Sequence, residues 1–388
     1  MRSIFVKFLY VLITSVSIFS CKEPSTTETK SLPPDTIPFN PALLTDRKEK
    51  EIYQKSKAFY EQHFKYSPLN GGFMVAKNGK IMFEAYNGTV HKGQKDSISL
   101  QTPLHIASTT KTFTAMGILL LAQQQKLRLT DSLQQYFPSF PYKGINLQML
   151  LNHRSGLANY MNVMNPDEWK DKRVNNQDVL NYLINQKPAI QGLPNRQFTY
   201  CNTNYVLLAL IIEQVSEKKY ADFLKASFFD PLGMKNTFVC NGDYQKNHAP
   251  SYRYNGVEEA ITWLDDTYGD KNICSTPRDL LRWDQALYNN TLFTNETLEA
   301  AFSPYSFEKP GTHNYGLGWR MYLLKKDKKL IYHNGWWHGS NSCFYRIISD
   351  GITIIAIGNK MNTNIYKVKP LAEAISSVRF SNREEDGL

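Results

Sequence analysis

Strand-type sequence stands at both ends of this chain and helix-type sequence lies between, an order that restricts the fold more than any single residue does. Near the N-terminus, Gly72 to Lys77 and Lys80 to Tyr86 flank Asn78-Gly79, which suits a two-residue hairpin because both positions tolerate positive φ. Beyond Gly316, the segments Leu317–Leu324, Lys329–His333, Ser342–Ser349 and Ile352–Gly358 are rich in β-branched and aromatic residues. Asp350-Gly351 predicts a second tight turn among them. Between these regions, Leu147–Asn152, Asn176–Gln186, Asn202–Val215, Tyr220–Phe229 and Pro277–Tyr288 read as helices. Thr276 suits the cap of the last and Pro277 its first turn. Asp46–Phe64, with Ile52, Phe59 and Phe64 on one side, and Val368–Arg379 predict a helix near each terminus. Alternating parallel units do not produce this order. An α+β fold does: one antiparallel sheet formed from both chain ends, flanked by helices, with a mainly helical region inserted at about 127–290.

With 388 residues, 42% hydrophobic and 21% charged, the chain can bury a large core and is not of disordered composition. Its formal net charge of +10 suits anionic envelope polymers or lipid headgroups, but no recognition helix or basic–aromatic cluster points to nucleic acid. Arg2 and Lys7 precede the apolar stretch Phe8–Phe19, which is too short to span a bilayer. Ile18-Phe19-Ser20-Cys21 resembles the lipobox of bacterial lipoproteins. The expected organisation is a lipoprotein signal at 1–20, lipid attachment at Cys21, a flexible tether over 21–45, one domain over 46–380 and a tail over 381–388. The protein is then expected at the bacterial cell envelope, held to the membrane by its N-terminal lipid. Cys201, Cys240, Cys274 and Cys343 remain, widely spaced in a chain with core to spare, and are expected as free, mostly buried thiols.

Ser108-Thr109-Thr110-Lys111 lies where an extended segment, Gln101–Ala107, gives way to a strongly apolar helix. A serine there has its hydroxyl near the unpaired N–H groups and positive dipole of the helix start. Lys111, on the same helical face, reaches that hydroxyl, and an apolar surrounding favours the neutral amine that can take its proton. This is the arrangement an activated serine nucleophile needs. Ser216–Lys219 and Ser306–Lys309 have the same spacing, so context must decide.

Two further motifs supply context. Tyr200-Cys201-Asn202 precedes an apolar helix, and a phenol near a lysine ionises more easily and can act as a base. Asn202 offers an amide donor and a carbonyl acceptor to a substrate. His333-Asn334-Gly335-Trp336-Trp337-His338-Gly339 follows a predicted strand, where glycines permit close approach of a ligand and backbone N–H groups can polarise a carbonyl. The two histidines lack the carboxylate partners of a metal site, so neither metal nor cofactor is expected. No Gly-x-Ser-x-Gly elbow occurs, which excludes the α/β-hydrolases.

Together these motifs resemble the serine β-lactamase and penicillin-binding-protein superfamily, nearest its class C β-lactamase-related branch of esterases, D-aminopeptidases and DD-carboxypeptidases. Leu150-Leu151-Asn152-His153-Arg154-Ser155-Gly156-Leu157 is similar to that branch's "LLTHTSGL" segment. Phe198-Thr199-Tyr200-Cys201-Asn202-Thr203-Asn204-Tyr205 is similar to its "FSYSNTNY" segment. Pro231–Met234, Ser275–Leu280 and Tyr315–Trp319 match in type and order. The resemblance implies that Ser108 is acylated, that Lys111 and Tyr200 share the proton handling in an order left open, and that Asn202, His333, Asn334 and Gly335 contact substrate. It also implies an oxyanion hole from the backbone N–H groups of Ser108 and Trp336.

His333 stands where many β-lactamases have the lysine of Lys-Thr-Gly, and a histidine near its ordinary pKa is only partly charged at neutral pH. Trp336 and Trp337 predict a narrowed or aromatic-lined acyl site. The expected function is an exported, lipid-anchored serine hydrolase of esterase or D-amino-acid peptidase type, acting on a small ester, amide or peptide. The alternatives are a true β-lactamase or DD-carboxypeptidase, and a non-catalytic peptidoglycan-binding protein.

Overall fold

The computed structural model describes residues 37–380 except 170–171, 241–248, 289–290 and 326. Cys21, the apolar stretch before it, most of the tether and the tail at 381–388 lie outside the described residues. Among the described residues there are ten strands: β1 Gly71–Lys77, β2 Lys80–Asn87, β3 Leu104–His105, β4 Phe238–Val239, β5 Ile273–Ser275, β6 His313–Tyr315, β7 Arg320–Leu323, β8 Lys329–Trp337, β9 Ser340–Ile347 and β10 Ile352–Gly358. Seven form one antiparallel sheet in the order β2-β1-β10-β9-β8-β7-β6. The N-terminal and C-terminal segments meet where β1 pairs with β10, from Gly71 opposite Gly358 to Lys77 opposite Ile352. Asn78 and Gly79 turn the first hairpin with φ of 48° and 76°.

Alternation along these strands explains why helices cover both faces. Met74 and Ala76 of β1, with Ile355 and Ile357 of β10, enter a core shared with the helix Thr110–Gln123 and the helical insertion. Phe73 and Val75, with Ile352, Ile354 and Ala356, enter a second core containing Ile52 of the helix Arg47–His63 and Leu371 of the helix Lys369–Ile375. Residues of opposite parity point to opposite faces, so a sheet buried on both sides needs near-continuous apolar strands. A buried polar cluster sits there: Arg346 of β9 donates to Asp284 at 2.6 Å, and Thr353 donates to the other oxygen of that carboxylate at 2.7 Å.

Several expected boundaries move. Leu317–Leu324 is not one strand: Gly316–Gly318 turn, with φ of 88° at Gly318, and only Arg320–Leu323 is extended. A Cβ on Gly318 would stand 2.2 Å from the Ala115 Cβ, so the turn packs directly on the Ser108 helix. The strand expected to end at His333 continues to Trp337, and the terminal helix stops at Ile375, where Ser376 becomes extended. The small sheet β3-β5-β4 was not anticipated. It also overturns the expectation of four free thiols. Pairing of β4 with β5 and the Cys240 N–H bond to the Asn272 carbonyl bring Cys240 and Cys274 to a Cα separation of 6.2 Å, where they are disulfide-bonded. Cys201 is a free, buried thiol, and Cys343 is buried.

Candidate active site

Ser108 sits in a turn held from two directions. Upstream, β3 pairs with β5, and the Ile106 N–H donates to the Ile273 carbonyl at 2.9 Å. Ala107 then takes a φ of 47°, a left-handed conformation costly for a residue with a Cβ. Downstream, the 3-10 turn Ala107–Thr109 runs into a helix whose residues from Thr110 to Leu121 are all buried. The Ser342 hydroxyl of β9 fixes the turn by donating to the Ile106 carbonyl at 2.6 Å and meeting the Thr109 hydroxyl at 2.8 Å. Tertiary bonds on both sides hold the left-handed residue and leave Ser108 partly exposed at the helix start.

Lys111 is fully buried. Its Nζ donates to Ser108 Oγ at 3.0 Å and to the Asp270 carbonyl at 2.7 Å, so the expected serine–lysine contact is present. The same Nζ lies 5.1 Å from the Tyr200 ring centroid and 5.6 Å from that of Tyr205. Tyr200 is positioned by His153. The Thr199 N–H donates to the His153 carbonyl at 2.8 Å, the Cys201 N–H to its Nδ1 at 3.1 Å, and the two rings lie 4.3 Å apart. Burial first, then the charges of Lys111 and Arg320, holds His153 well below the usual histidine pKa, which keeps Nδ1 available as an acceptor. Asn202 opens the helix Asn202–Ser216, with its amide 3.2 Å from Met161 Sδ.

β8 supplies the opposite wall. β7 pairs with it only as far as Tyr332, opposite Arg320, and β9 continues beside it to Trp337. The edge from His333 onward therefore faces the cleft and not another strand of the sheet. Gly335 permits its approach to the serine turn: a Cβ there would lie 2.2 Å from the Ile106 carbonyl oxygen and 3.0 Å from the Ser108 nitrogen. Ser108, Tyr200, Asn202, Asn334, Gly335 and Trp336 border one cavity of about 560 Å³. That volume lies within the range of roughly 300–1,000 Å³ that holds small ligands, so the site is aromatic-lined and not closed by its tryptophans. Trp336 is 57% exposed at the mouth. Trp337 turns inward, and its indole N–H donates to Asp265 at 2.6 Å beside His338, whose Nε2 lies 2.9 Å from the same oxygen.

His333 does not join that lining. It is buried, with Nδ1 2.7 Å from the Asn334 carbonyl and Nε2 3.2 Å from the Tyr315 hydroxyl, an arrangement that suits the neutral ring protonated on Nδ1. Burial first, then the charges of Arg320 and Lys111, pushes its pKa well below the usual value. The expectation of a partly charged histidine is therefore corrected: packing keeps this ring neutral.

The cation at this place is Arg320, which sequence reasoning missed. Burial opposes its charge, but Tyr332, Tyr200 and Tyr315 outweigh that and raise its pKa. Its Cζ lies 5.1 Å from the Tyr200 ring centroid, and its Nε has no hydrogen-bond partner among the described residues. Among the described residues, no group of three or more His, Cys, Asp or Glu side chains is placed to hold a metal ion.

The beta-lactamase family model matches residues 59–374. The chain belongs to that family. It is 32% identical over 340 residues to penicillin-binding protein 4* of Bacillus subtilis (strain 168), covering 84% of this chain and 74% of that protein. A penicillin binding protein from Bacillus halodurans has the same fold, with a TM-score of 0.72 at 22% identity, covering 82% of this chain and all of the other. So does the D-amino acid amidase from Ochrobactrum anthropi SV3, with a TM-score of 0.69 at 23% identity over 84% of this chain and 97% of the other. The β-lactamase and penicillin-binding-protein fold expected from the motifs is thus the one present.

Two signals for the missed residues lay in or directly beside family-like segments. Arg320 directly follows Tyr315–Trp319, a lone cation opening an otherwise apolar strand. His153 is the histidine of Leu150–Leu157, and its role depends on contacts with residues 199–201. Asp270-Lys271 gave no comparable signal. There the Lys271 ammonium donates to the Tyr160 hydroxyl at 2.8 Å and lies 4.7 Å from the Trp337 ring centroid, and Lys271 is part of the cavity lining.

Proposed function

We propose that this member of the beta-lactamase family hydrolyses an ester or amide through an acyl-enzyme on Ser108, in the manner of an esterase or D-amino-acid peptidase. The observation that carries the reading is the 3.0 Å contact between buried Lys111 and Ser108 Oγ, with Tyr200 beside it. In the reactive form, Lys111 donates to the Asp270 carbonyl and accepts the Ser108 proton. Ser108 Oγ bonds the substrate carbonyl carbon, and the Ser108 and Trp336 N–H groups receive the developing oxyanion. Lys111 and Tyr200 then pass the proton to the departing oxygen or nitrogen, and Asn202 contacts the substrate amide. Water repeats the sequence to release the acid.

Arg320 favours the peptidase over the neutral-ester reading. It supplies the charge that His333 lacks, and its open Nε can donate to a substrate carboxylate. Anchoring through Cys21 at the cell envelope completes the proposal.

The test is intact-mass analysis after exposure to activated esters, a fluorophosphonate and penicillin. An adduct on Ser108 is expected with at least one of them and none in Ser108→Ala, whose turnover falls by several orders of magnitude. Equal turnover by Ser108→Ala would remove Ser108 from the mechanism, whereas no adduct and no turnover with any of these compounds in the wild type would leave a non-catalytic binder as the better account of the fold.

A further inference from the structure

A second cavity, of about 590 Å³, lies on the far side of Tyr200 and Arg320, and these two residues border both cavities. We propose that it is a leaving-group subsite for an amine that continues into an anionic chain longer than one residue, so that the substrate class is an acylated peptide. This inference rests on the Ser108 hydrolase reading and specifies its substrate.

Chemistry gives the direction. A departing amine must gain a proton, and Lys111 and Tyr200 are the groups proposed to deliver it, so the leaving group lies on the Tyr200 side of Ser108. What continues from it passes Arg320 into the second cavity. That space is as large as the first and falls in the range of roughly 300–1,000 Å³ that takes a drug-sized molecule, far more than one small amino acid fills.

Its walls select charge and shape. The carboxylate there, Glu308, is already engaged: Arg154 donates to it at 2.9 Å, and the Phe198 N–H donates to it at 2.5 Å. Arg320, with its unpartnered Nε, and exposed Lys309 leave a cationic balance that suits a carboxylate. Phe198, Tyr315 and Tyr332 provide aromatic faces for peptide planes or apolar side chains. The wall is also preformed. Buried Arg154 ties Ser306 Oγ at 3.0 Å and the Asn195 side chain and carbonyl at 3.0 and 2.9 Å, which joins two separate loops.

Aminolysis of the acyl-enzyme reads this subsite directly. An incoming amine nitrogen bonds the acyl carbon, the bond to Ser108 Oγ breaks, and the amine proton returns through Tyr200 and Lys111 to Ser108. The full-length protein is acylated by a small activated ester, and glycine, triglycine and triglycinamide compete with water, with rates expressed per free amine. Triglycine is expected to form amide about tenfold more efficiently than glycine or triglycinamide, and to saturate. Lys309→Glu, a change at an exposed position, should lower the triglycine-to-triglycinamide ratio about threefold.

Equal partitioning of the three amines from an acyl-enzyme that does form would overturn the subsite and leave the hydrolase reading standing. A triglycine preference unchanged by Lys309→Glu and by Arg320→Gln would overturn its charge selection. Failure of any ester to acylate Ser108 would remove both readings together.

Discussion

Lowering the pH should expose the two buried histidines as a stability cost. His153 and His333 are both held well below the usual histidine pKa, by burial first and by nearby cations second. In the unfolded chain each titrates near its ordinary value of about 6.5. Above that pH both states are neutral and neither ring affects the balance. Below it the unfolded state binds a proton that the folded state refuses, so stability is lost as pH falls from the unfolded towards the folded value. The slope is about 1.4 kcal/mol per pH unit for each histidine. Carboxylates add their own slopes, so the informative quantity is a difference between proteins. His333→Gln should cost stability at pH 7.5, because glutamine replaces the contacts to Asn334 and Tyr315 imperfectly. That deficit should then shrink by about 1.4 kcal/mol between pH 6 and pH 5, since only the wild type still refuses a proton there. Urea unfolding followed by tryptophan fluorescence at pH 7.5, 6 and 5 measures it. A deficit independent of pH would show that His333 titrates normally and would refute the argument from burial. The functional corollary is that affinity for a carboxylate-bearing substrate stays flat between pH 6 and 8, because Arg320 and not His333 carries the charge.

Two further outcomes are expected. Gly335→Ala should destabilise by about 1–3 kcal/mol and lower kcat/KM on the order of a hundredfold, because the new methyl meets the Ile106 carbonyl and the Ser108 nitrogen and forces strand and serine turn apart. Wild-type kcat/KM with an activated ester would show that their close approach is dispensable. Lys111→Ala and Tyr200→Phe should each depress acylation strongly, and the double variant should lose less than the product of the two, as expected of one proton relay. Strictly multiplicative losses in stopped-flow acylation would mean that the two act independently.

What could be read from the sequence was what short-range geometry dictates. The β-branched and aromatic content of the terminal segments, the Asn78-Gly79 turn and the helical middle are enough to specify an antiparallel sheet with a helical insertion, because such side chains suit the pleated backbone and glycine permits the tight turn. The Ser108–Lys111 contact was legible for the same reason: one helical turn fixes the distance between those residues wherever the helix packs. The Thr276 cap was another such local bond. Tertiary structure decided the rest. The Asp270 carbonyl on Lys111, His153 against Tyr200, the Cys240–Cys274 bond and the exchange of roles between His333 and Arg320 each join segments far apart in the chain. Charge state above all depends on such contacts. A histidine has its ordinary pKa until neighbours from other strands remove its water, and an arginine becomes a candidate anchor only when the fold leaves one of its nitrogens buried and unpaired at the cavity that the serine borders.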